Sequence, residues 1–177
     1  MLRISRNKVL FFLLFIVFIA KSANLNVSWI NTSNSSDYQT IKKVLSDSKG
    51  NVFLVGTFRN SLSSGTSTIY SSGYENLFIA KYDLSGKLLW AKRDCTGEGG
   101  LNLQSAAIDK SDNIILCGSF YSNQKTFGSV VLSNLNPSGP TKYFVVKYDS
   151  NGNVLWAKGN SNTTLYTSAE SVYADQS

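Results

Sequence analysis

The chain has 177 residues, no histidine and a formal net charge of +6. The lack of histidine excludes serine–histidine and cysteine–histidine nucleophilic mechanisms and most zinc sites. Segment 1–22 holds four of the 17 basic side chains and none of the 11 acidic ones, so the rest of the chain is close to neutral. This small, scattered excess of positive charge gives no reason to expect nucleic acid or a membrane surface as a partner.

The N-terminal segment has the pattern of a secretory signal peptide. Three basic side chains precede an unbroken apolar run over positions 9–20, and Ala20 and Ser22 offer the small side chains that a signal peptidase reads. The apolar run is too short to cross a bilayer as a helix, which takes about 20 residues. We therefore predict a signal peptide over residues 1–22, no membrane span after its removal, and a secreted or cell-surface location.

Most of the remaining chain is an internal repeat. The segment FIAKYDLSGKLLWAK, which begins at Phe78, returns as FVVKYDSNGNVLWAK, which begins at Phe144. The segment DSKGNVFLVGTF from Asp47 likewise returns as DKSDNIILCGSF from Asp109. Repeats of this period indicate stacked supersecondary units, each of which buries its faces against its neighbours.

Each copy contains five candidate strands separated by turns rich in Gly, Asn, Asp and Ser, which is an all-β pattern. The third candidate of each copy is weak, and we predict four strands per sheet. The hairpin turns DLSG and DSNG place an acceptor side chain first and a positive-φ residue last. The candidate strands cover residues 41–47, 51–59, 67–71, 76–83 and 87–93 in the first copy, and 103–109, 113–121, 129–134, 142–149 and 153–158 in the second.

The second candidate strand of each copy is apolar on both faces, as FLVG at 53–56 and ILCG at 115–118 show. In an antiparallel sheet such a strand is covered front and back by other sheets, as in a propeller or a stacked solenoid. Gly56 and Gly118 are expected to allow the close approach of a neighbouring backbone.

Two features leave alternatives open. Cys117 lies in an apolar strand and Cys95 in a polar loop, and sequence alone cannot decide whether a disulfide joins them. The sequons are glycosylation sites if the secretory route glycosylates, or accidents of a Ser/Asn-rich composition. They stand at Asn26, Asn31, Asn34 and Asn162.

The repeated string, with its F-x-x-KYD-x-x-G-x-x-LWAK stretch, resembles the bacterial SBBP β-propeller repeat over roughly residues 27–177. The resemblance implies four-stranded blades arranged radially about a central axis, in an extracellular or cell-surface protein. Asp112 departs from the pattern because glycine is usual at its position. The fold class that we predict is all-β, with antiparallel four-stranded blades that make a partial β-propeller.

The signal peptide and the repeat together predict that the chain has five parts. They are a signal peptide (1–22), a Ser/Asn-rich leader with a strand of a partial preceding blade near Trp29 (23–40), a first repeat (41–102), a second repeat (103–160) and the truncated start of a third (161–177). A propeller ring typically closes with at least about four blades. We therefore expect the chain to need further blades from the same protein or from self-association.

Few residues are candidates for catalysis or metal binding. The aspartates at 47, 83, 109 and 149 begin turns in both copies, and a repeated position is better explained by what every blade needs than by one active site. The run DSNGN at 149–153 lacks the further carboxylates of a calcium loop. We predict no catalytic residue, no metal site and no cofactor. In the loops where a ligand would be expected, at 60–66, 94–102 and 121–127, Asp94 and Glu98 are the two acidic residues outside the repeat pattern.

These observations predict a secreted, non-catalytic β-propeller segment that acts as a structural or binding module for protein or carbohydrate. Any ligand is expected on the loops at one end of the blades, in segments 60–66, 94–102 and 121–127. The alternative is a fragment of a larger propeller enzyme or surface protein, with no independent activity.

Overall fold

The computed structural model describes residues 38–64, 67–71, 74–135, 141–160 and 165–175, and in this part of the chain it contains twelve β-strands and no helix. Within those ranges there is consequently no helix that is long and apolar enough to cross a membrane. The predicted signal peptide, the strand near Trp29 and all four sequons lie outside the described residues. The strands are β1 (Gln39–Ser46), β2 (Val52–Phe58), β3 (Ser61–Ser64), β4 (Ser67–Tyr70), β5 (Asn76–Tyr82), β6 (Leu88–Asp94), β7 (Leu101–Ile108), β8 (Ile114–Phe120), β9 (Gln124–Phe127), β10 (Val130–Ser133), β11 (Lys142–Tyr148) and β12 (Val154–Gly159).

The strands form two antiparallel four-stranded sheets that follow the same path. The order is β1-β2-β5-β6 in the first blade and, in the same spatial sense, β7-β8-β11-β12 in the second blade. The predicted all-β fold with four-stranded blades of a partial β-propeller is therefore confirmed. The turns between β5 and β6 and between β11 and β12 are the DLSG and DSNG turns, with Gly86 and Gly152 at φ 81° and 76°.

The weak strands predicted at 67–71 and 129–134 are present, but they do not join the blade sheets. Each pairs instead with a short preceding strand, which gives the two-stranded hairpins β3–β4 and β9–β10. The sequence did not indicate β3 or β9 because both are only four residues long and polar in composition. These hairpins contact the last strand of their own blade, β6 and β12.

The main hydrophobic core lies between the two blades. It joins Phe53 and Ile79 of the first blade to Leu116, Phe144 and other buried side chains of the second. A second cluster of buried side chains, centred on Phe58 and Phe78, belongs to the first blade. Strands β2 and β8 are buried at all positions but one each, which is half-buried, as their two-sided apolar pattern predicted. The first strands of the two blades, β1 and β7, contact each other directly.

Residues 165–175 lie beside the second blade, as the first strand of a blade lies beside the blade before it. The Thr167 amide donates to the Thr141 carbonyl over 3.0 Å, and the Cys117 thiol lies 3.4 Å from the Ala169 carbonyl. This segment therefore lies against β8, much as β7 of the second blade lies against β2 of the first.

Candidate functional site

The repeated aspartates build turns. In the second blade, Asp109 Oδ1 accepts from the amides of Ser111 and Asn113 over 2.9 and 3.0 Å. Asp47 accepts from the amides of Lys49 and Asn51 in the same way, over 3.0 and 2.8 Å. The carboxylates at 83 and 149 make the corresponding bonds. These four carboxylates are thus engaged in holding turns, which is the role that the repeat indicated.

The lysine of each KYD string binds a turn aspartate of its own blade. The Lys81–Asp47 pair is 3.1 Å long and the Lys147–Asp109 pair 2.7 Å. Burial acts to raise the pKa of Asp109, but hydrogen bonds from Lys147 and Asn113 outweigh it and lower that pKa to about 2. The repeated lysines and aspartates therefore stabilise the blades and are not available to a ligand.

The lowered pKa makes Asp109→Asn a test of this pair. The carboxyl group titrates near 3.8 when unfolded and near 2 when folded, so its contribution to stability is present above pH ~4 and is lost as the pH falls to ~2. We expect Asp109→Asn to lower the free energy of unfolding at pH 7 by about 1 kcal/mol and to flatten its dependence on pH in this window. Urea unfolding at pH 7, 4 and 2 measures both effects. Lys147→Met should flatten the same window, and an unchanged acid dependence in both variants would contradict the assignment.

The repeated tryptophan and the last lysine of the WAK string bind the neighbouring blade. Lys92 Nζ donates to the Asn151 carbonyl over 2.6 Å and to Asn153 Oδ1 over 3.2 Å. A Cβ on Gly152 would lie 2.9 Å from the Trp90 ring, so glycine lets this ring pack directly on the turn. We call Trp90 and Lys92 the socket and the turn at 149–153 the plug.

A second contact between the blades explains why aspartate stands at position 112, where the repeat usually has glycine. This residue has φ 61°, where the first copy has Gly50 at φ 81°. The Asp112 carboxylate accepts from both the amide and the hydroxyl of Ser48 over 2.7 Å. The strained aspartate thus joins the turn of its own blade to the turn of the first blade, which glycine could not do.

Beside the socket, the two blades leave a cleft of about 260 Å³. We call it the inter-blade cleft. Asp94 at the end of β6 and Tyr148 at the end of β11 belong to its lining, and the turns at 128–129 and 152–154 form its second-blade side. Its lining also includes Ile79, Arg93, Ser129, Asn153 and Val154.

Two oxygens of the cleft have no hydrogen-bond partner among the described residues other than each other. They are Asp94 Oδ2 and the hydroxyl of Tyr148, and both atoms are buried. The other oxygen of Asp94 accepts from the Gly128 amide over 3.3 Å. The sequence singled out Asp94 but gave no sign that Tyr148 would lie beside it.

The two side chains are nevertheless neighbours. Burial raises the pKa of Tyr148 well above its usual value, and the charge and hydrogen-bonding capacity of the nearby Asp94 carboxylate raise it further. The phenol therefore keeps its proton at neutral pH. A side-chain hydrogen bond to Asp94 is among the causes of the raised pKa, so the buried phenol and the carboxylate are partners of each other.

Asp94 differs from its counterpart in the second copy. Asn160 stands at that position, and its Oδ1 accepts from the Thr167 hydroxyl over 3.0 Å and from the Tyr143 amide over 3.3 Å. The side chain in the second copy is therefore satisfied by its own blade and by the segment that follows. Of the two non-repeated acidic residues that the sequence singled out, Asp94 lies in the cleft, whereas Glu98 does not line it.

Next to the cleft, a buried lysine shapes the loop at 95–100. Lys125 has no exposed surface, and its Nζ donates to the carbonyls of Gly97 and Gly99 over 3.1 and 2.6 Å. Burial lowers the pKa of Lys125 and raises that of the adjacent Cys95 to about 12. No feature of the sequence marked Lys125, because its partners are carbonyls of a separate segment of the chain.

Neither cysteine has the properties of a nucleophile. Cys95 and Cys117 are both described, both buried, and not joined by a disulfide. Burial raises the pKa of both thiols, so both are protonated at neutral pH. The structure thereby decides between the two alternatives that the sequence left open.

The loops predicted to carry a ligand contribute unequally. The segment 94–102 supplies Asp94 to the cleft. The segment 121–127 contains β9 with the buried Lys125, and 60–66 contains β3 and includes two residues outside the described ranges. The cleft is completed by Tyr148 and Asn153, which the repeat pattern concealed because both belong to the turn-and-strand string of the repeat.

Comparison with known proteins gives a limited result. No protein-family profile matches the chain. The chain is similar to a WD repeat-containing protein of Acanthamoeba polyphaga mimivirus, with 29% identity over 85% of this chain and 12% of that protein. The chain thus spans about an eighth of the length of this relative. Together with the blades, the similarity supports a repeat of β-propeller type, and it does not assign the chain to the SBBP family.

Proposed function

We propose that the chain is a secreted, non-catalytic β-propeller segment that acts as a structural or binding module together with further blades. The observation that carries the proposal is that the repeated and the non-repeated residues have different roles. The repeated side chains hold turns, pair within a blade or bind the neighbouring blade. The non-repeated Asp94 instead lines an open cleft between the blades. Repeated positions that are engaged in structure favour a scaffold over a catalyst.

The last strand of the second blade supports the association with further blades. Trp156 and Lys158 occupy the repeat positions that Trp90 and Lys92 occupy in the first blade. Trp156 is 37% exposed and Lys158 is exposed, whereas Trp90 and Lys92 hold the plug of the next blade. Trp156 and Lys158 therefore offer a second socket of the same chemistry, which accepts a glycine-tipped turn of another blade.

The alternative is that the chain has no independent activity and contributes blades to a larger propeller enzyme or surface protein. The similarity to a small part of a much longer protein favours this alternative. Both proposals share the need for further blades, and they differ in whether a copy of this chain can supply them.

Light scattering on a size-exclusion column tests the proposal with the secreted protein. We expect a discrete oligomer that Trp156→Ala converts to a monomer, because the substitution removes the surface on which a turn packs. Within a homo-oligomer, the plug is the turn at 83–87, which has Lys87 where the internal plug has Asn153. Lys87 then faces Lys158, so Lys87→Asn is expected to tighten the association. A monodisperse monomer that neither substitution changes would contradict self-association, and aggregated or unfolded protein would favour the alternative.

A further inference from the structure

We infer that segment 27–31 docks as a strand on the outer face of the first blade and competes with the second socket of another copy for the turn at 83–87. The outer face is the side of the blade that carries Phe78, Ala80 and Tyr82 of β5. Segment 27–31 lies outside the described residues. The inference rests on the proposed function as a module that associates through its sockets, and it names the part of the chain that regulates this association.

The outer face of the first blade is buried. Side chains of a strand alternate between the two faces of a sheet, so Phe78, Ala80 and Tyr82 point away from the core between the blades, yet each is only 3% exposed. Within the described residues, the cluster that they form draws its other members from the first blade and from Leu62 and Ile69 of the hairpin β3–β4. The hairpin strands have four residues each against seven in β5, so they span only part of this face. A sheet face is buried when another element packs on it, and we infer that a further segment covers the rest.

The second blade shows what covers such a face. Its corresponding side chains include Phe144 and Tyr148 of β11, which have no exposed surface and belong to the core that the first blade closes. In this contact, Trp90 on the last strand of the first blade packs on Gly152 in the turn of the second. The turn at 83–87 has a glycine with the same positive φ at the corresponding position. The repeat therefore predicts that a tryptophan on a preceding strand packs on this turn.

Segment 27–31 has this tryptophan, at the distance that the repeat requires. Trp29 lies 10 residues before Gln39, which begins β1, and Trp90 lies 11 residues before Leu101, which begins β7. The connection from the segment to the first blade is thus one residue shorter than the connection between the blades. The segment can therefore reach the position on the first blade that β6 holds on the second.

The turn at 83–87 carries a charge that the corresponding turn of the second blade lacks. Where the blades meet, the socket lysine Lys92 donates to Asn153 Oδ1 over 3.2 Å. The turn at 83–87 has Lys87 at the position of Asn153. The second socket of another copy would place Lys158 against Lys87, and the two ammonium groups repel each other.

Segment 27–31 avoids this repulsion. Asn31 follows Trp29 at the interval that separates the socket lysine from its tryptophan. The Asn31 side chain is neutral, and its amide oxygen accepts hydrogen bonds from an ammonium group such as that of Lys87. The chain's own segment thus matches the turn better than the second socket does. Because only the undocked fraction can accept a partner, docking raises the concentration at which copies associate.

A double-mutant cycle in urea tests the docking. It uses the secreted chain at low protein concentration, produced in a host that does not glycosylate. Asn31→Lys should lower the midpoint of unfolding by about 0.5 M, because it sets a second ammonium group against Lys87. Lys87→Asn in the same chain should restore the midpoint, since the pair then has the chemistry of Lys92 and Asn153. Lys87→Asn alone should shift the midpoint by less than about 0.2 M.

Trp29→Ala removes the side chain that packs on the turn. We expect it to lower the urea midpoint by about 1 M at low protein concentration. Light scattering should show that it also lowers the concentration at which the oligomer forms, about tenfold, because the turn is then free for the second socket of another copy. Leu25→Ala changes an apolar residue of the same leader outside segment 27–31. This matched control should alter neither quantity.

The inference is overturned if Trp29→Ala has no larger effect than Leu25→Ala, or if Lys87→Asn fails to rescue Asn31→Lys. Should Trp29→Ala fail to fold, the lysine cycle still decides, since neither of its substitutions removes an apolar side chain. The proposed function fails in a different way. If no variant associates at any concentration while the cycle shows coupling, the segment docks as inferred but the chain is not a self-associating module.

Discussion

Gly118→Ala is expected to lower the free energy of unfolding by about 3 kcal/mol. Gly118 lies in β8 opposite the bulge that β7 makes between Leu103 and Ser105. A Cβ at Gly118 would overlap the carbonyl of Asn102 and lie 3.1 Å from the Phe144 ring. The carbonyl belongs to the backbone of the adjacent strand and cannot move without disturbing the sheet, so the strain spreads into the core between the blades.

Chemical unfolding in urea measures this effect, and Gly100→Ala is its matched control. The three atoms nearest to a Cβ at Gly100 all belong to the side chain of Tyr121, which is 53% exposed and can rotate away. The control should therefore cost less than about 1 kcal/mol. Equal costs in the two variants would show that the backbone approach at Gly118 is not rigid.

The same reasoning shows why the sequence predicted this feature. Gly56 and Gly118 interrupt apolar strands at corresponding positions, and both meet a backbone carbonyl, of Thr40 and of Asn102, on the neighbouring strand. The expected close approach is thus confirmed in both blades. Features of this kind are predictable because a strand pattern, a turn or a glycine acts within one or two adjacent segments, and the repeat presents the same local solution twice.

The cleft could be predicted only in part, because it is formed by segments that are far apart in the sequence. Asp94 was recognisable as a non-repeated acidic residue, but its neighbour Tyr148 is distant in the sequence and occupies a repeated position. Lys125 gave no signal at all, because its partners are carbonyls of a loop whose backbone includes Cys95 at φ 71°. Contacts between blades depend on how two sheets pack, and strand periodicity contains no information on that packing.

Trp90→Ala is expected to cost about 3 kcal/mol of unfolding free energy, whereas Trp156→Ala should cost about 1 kcal/mol or less. The two tryptophans occupy the same repeat position and precede the same Ala-Lys pair, so sequence alone assigns them equal roles. In the structure, Trp90 packs edge-on against Phe53 with ring centroids 6.0 Å apart and covers Gly152 of the next blade. Trp156 remains 37% exposed.

Urea unfolding of both variants at low protein concentration, where association is weakest, checks the difference directly. Comparable costs would mean that Trp156 is covered as fully as Trp90 in the isolated chain, and the second socket would then not exist. A larger loss for Trp156→Ala at high protein concentration than at low concentration is the expected sign of association, since a partner that binds only the folded state adds to its stability. The pair thus measures separately what the repeated tryptophan contributes inside a chain and what it contributes between chains. In a repeat protein, each blade presents an equivalent surface to the blade that follows it. The contribution of an exposed socket residue therefore depends on whether a further blade is present.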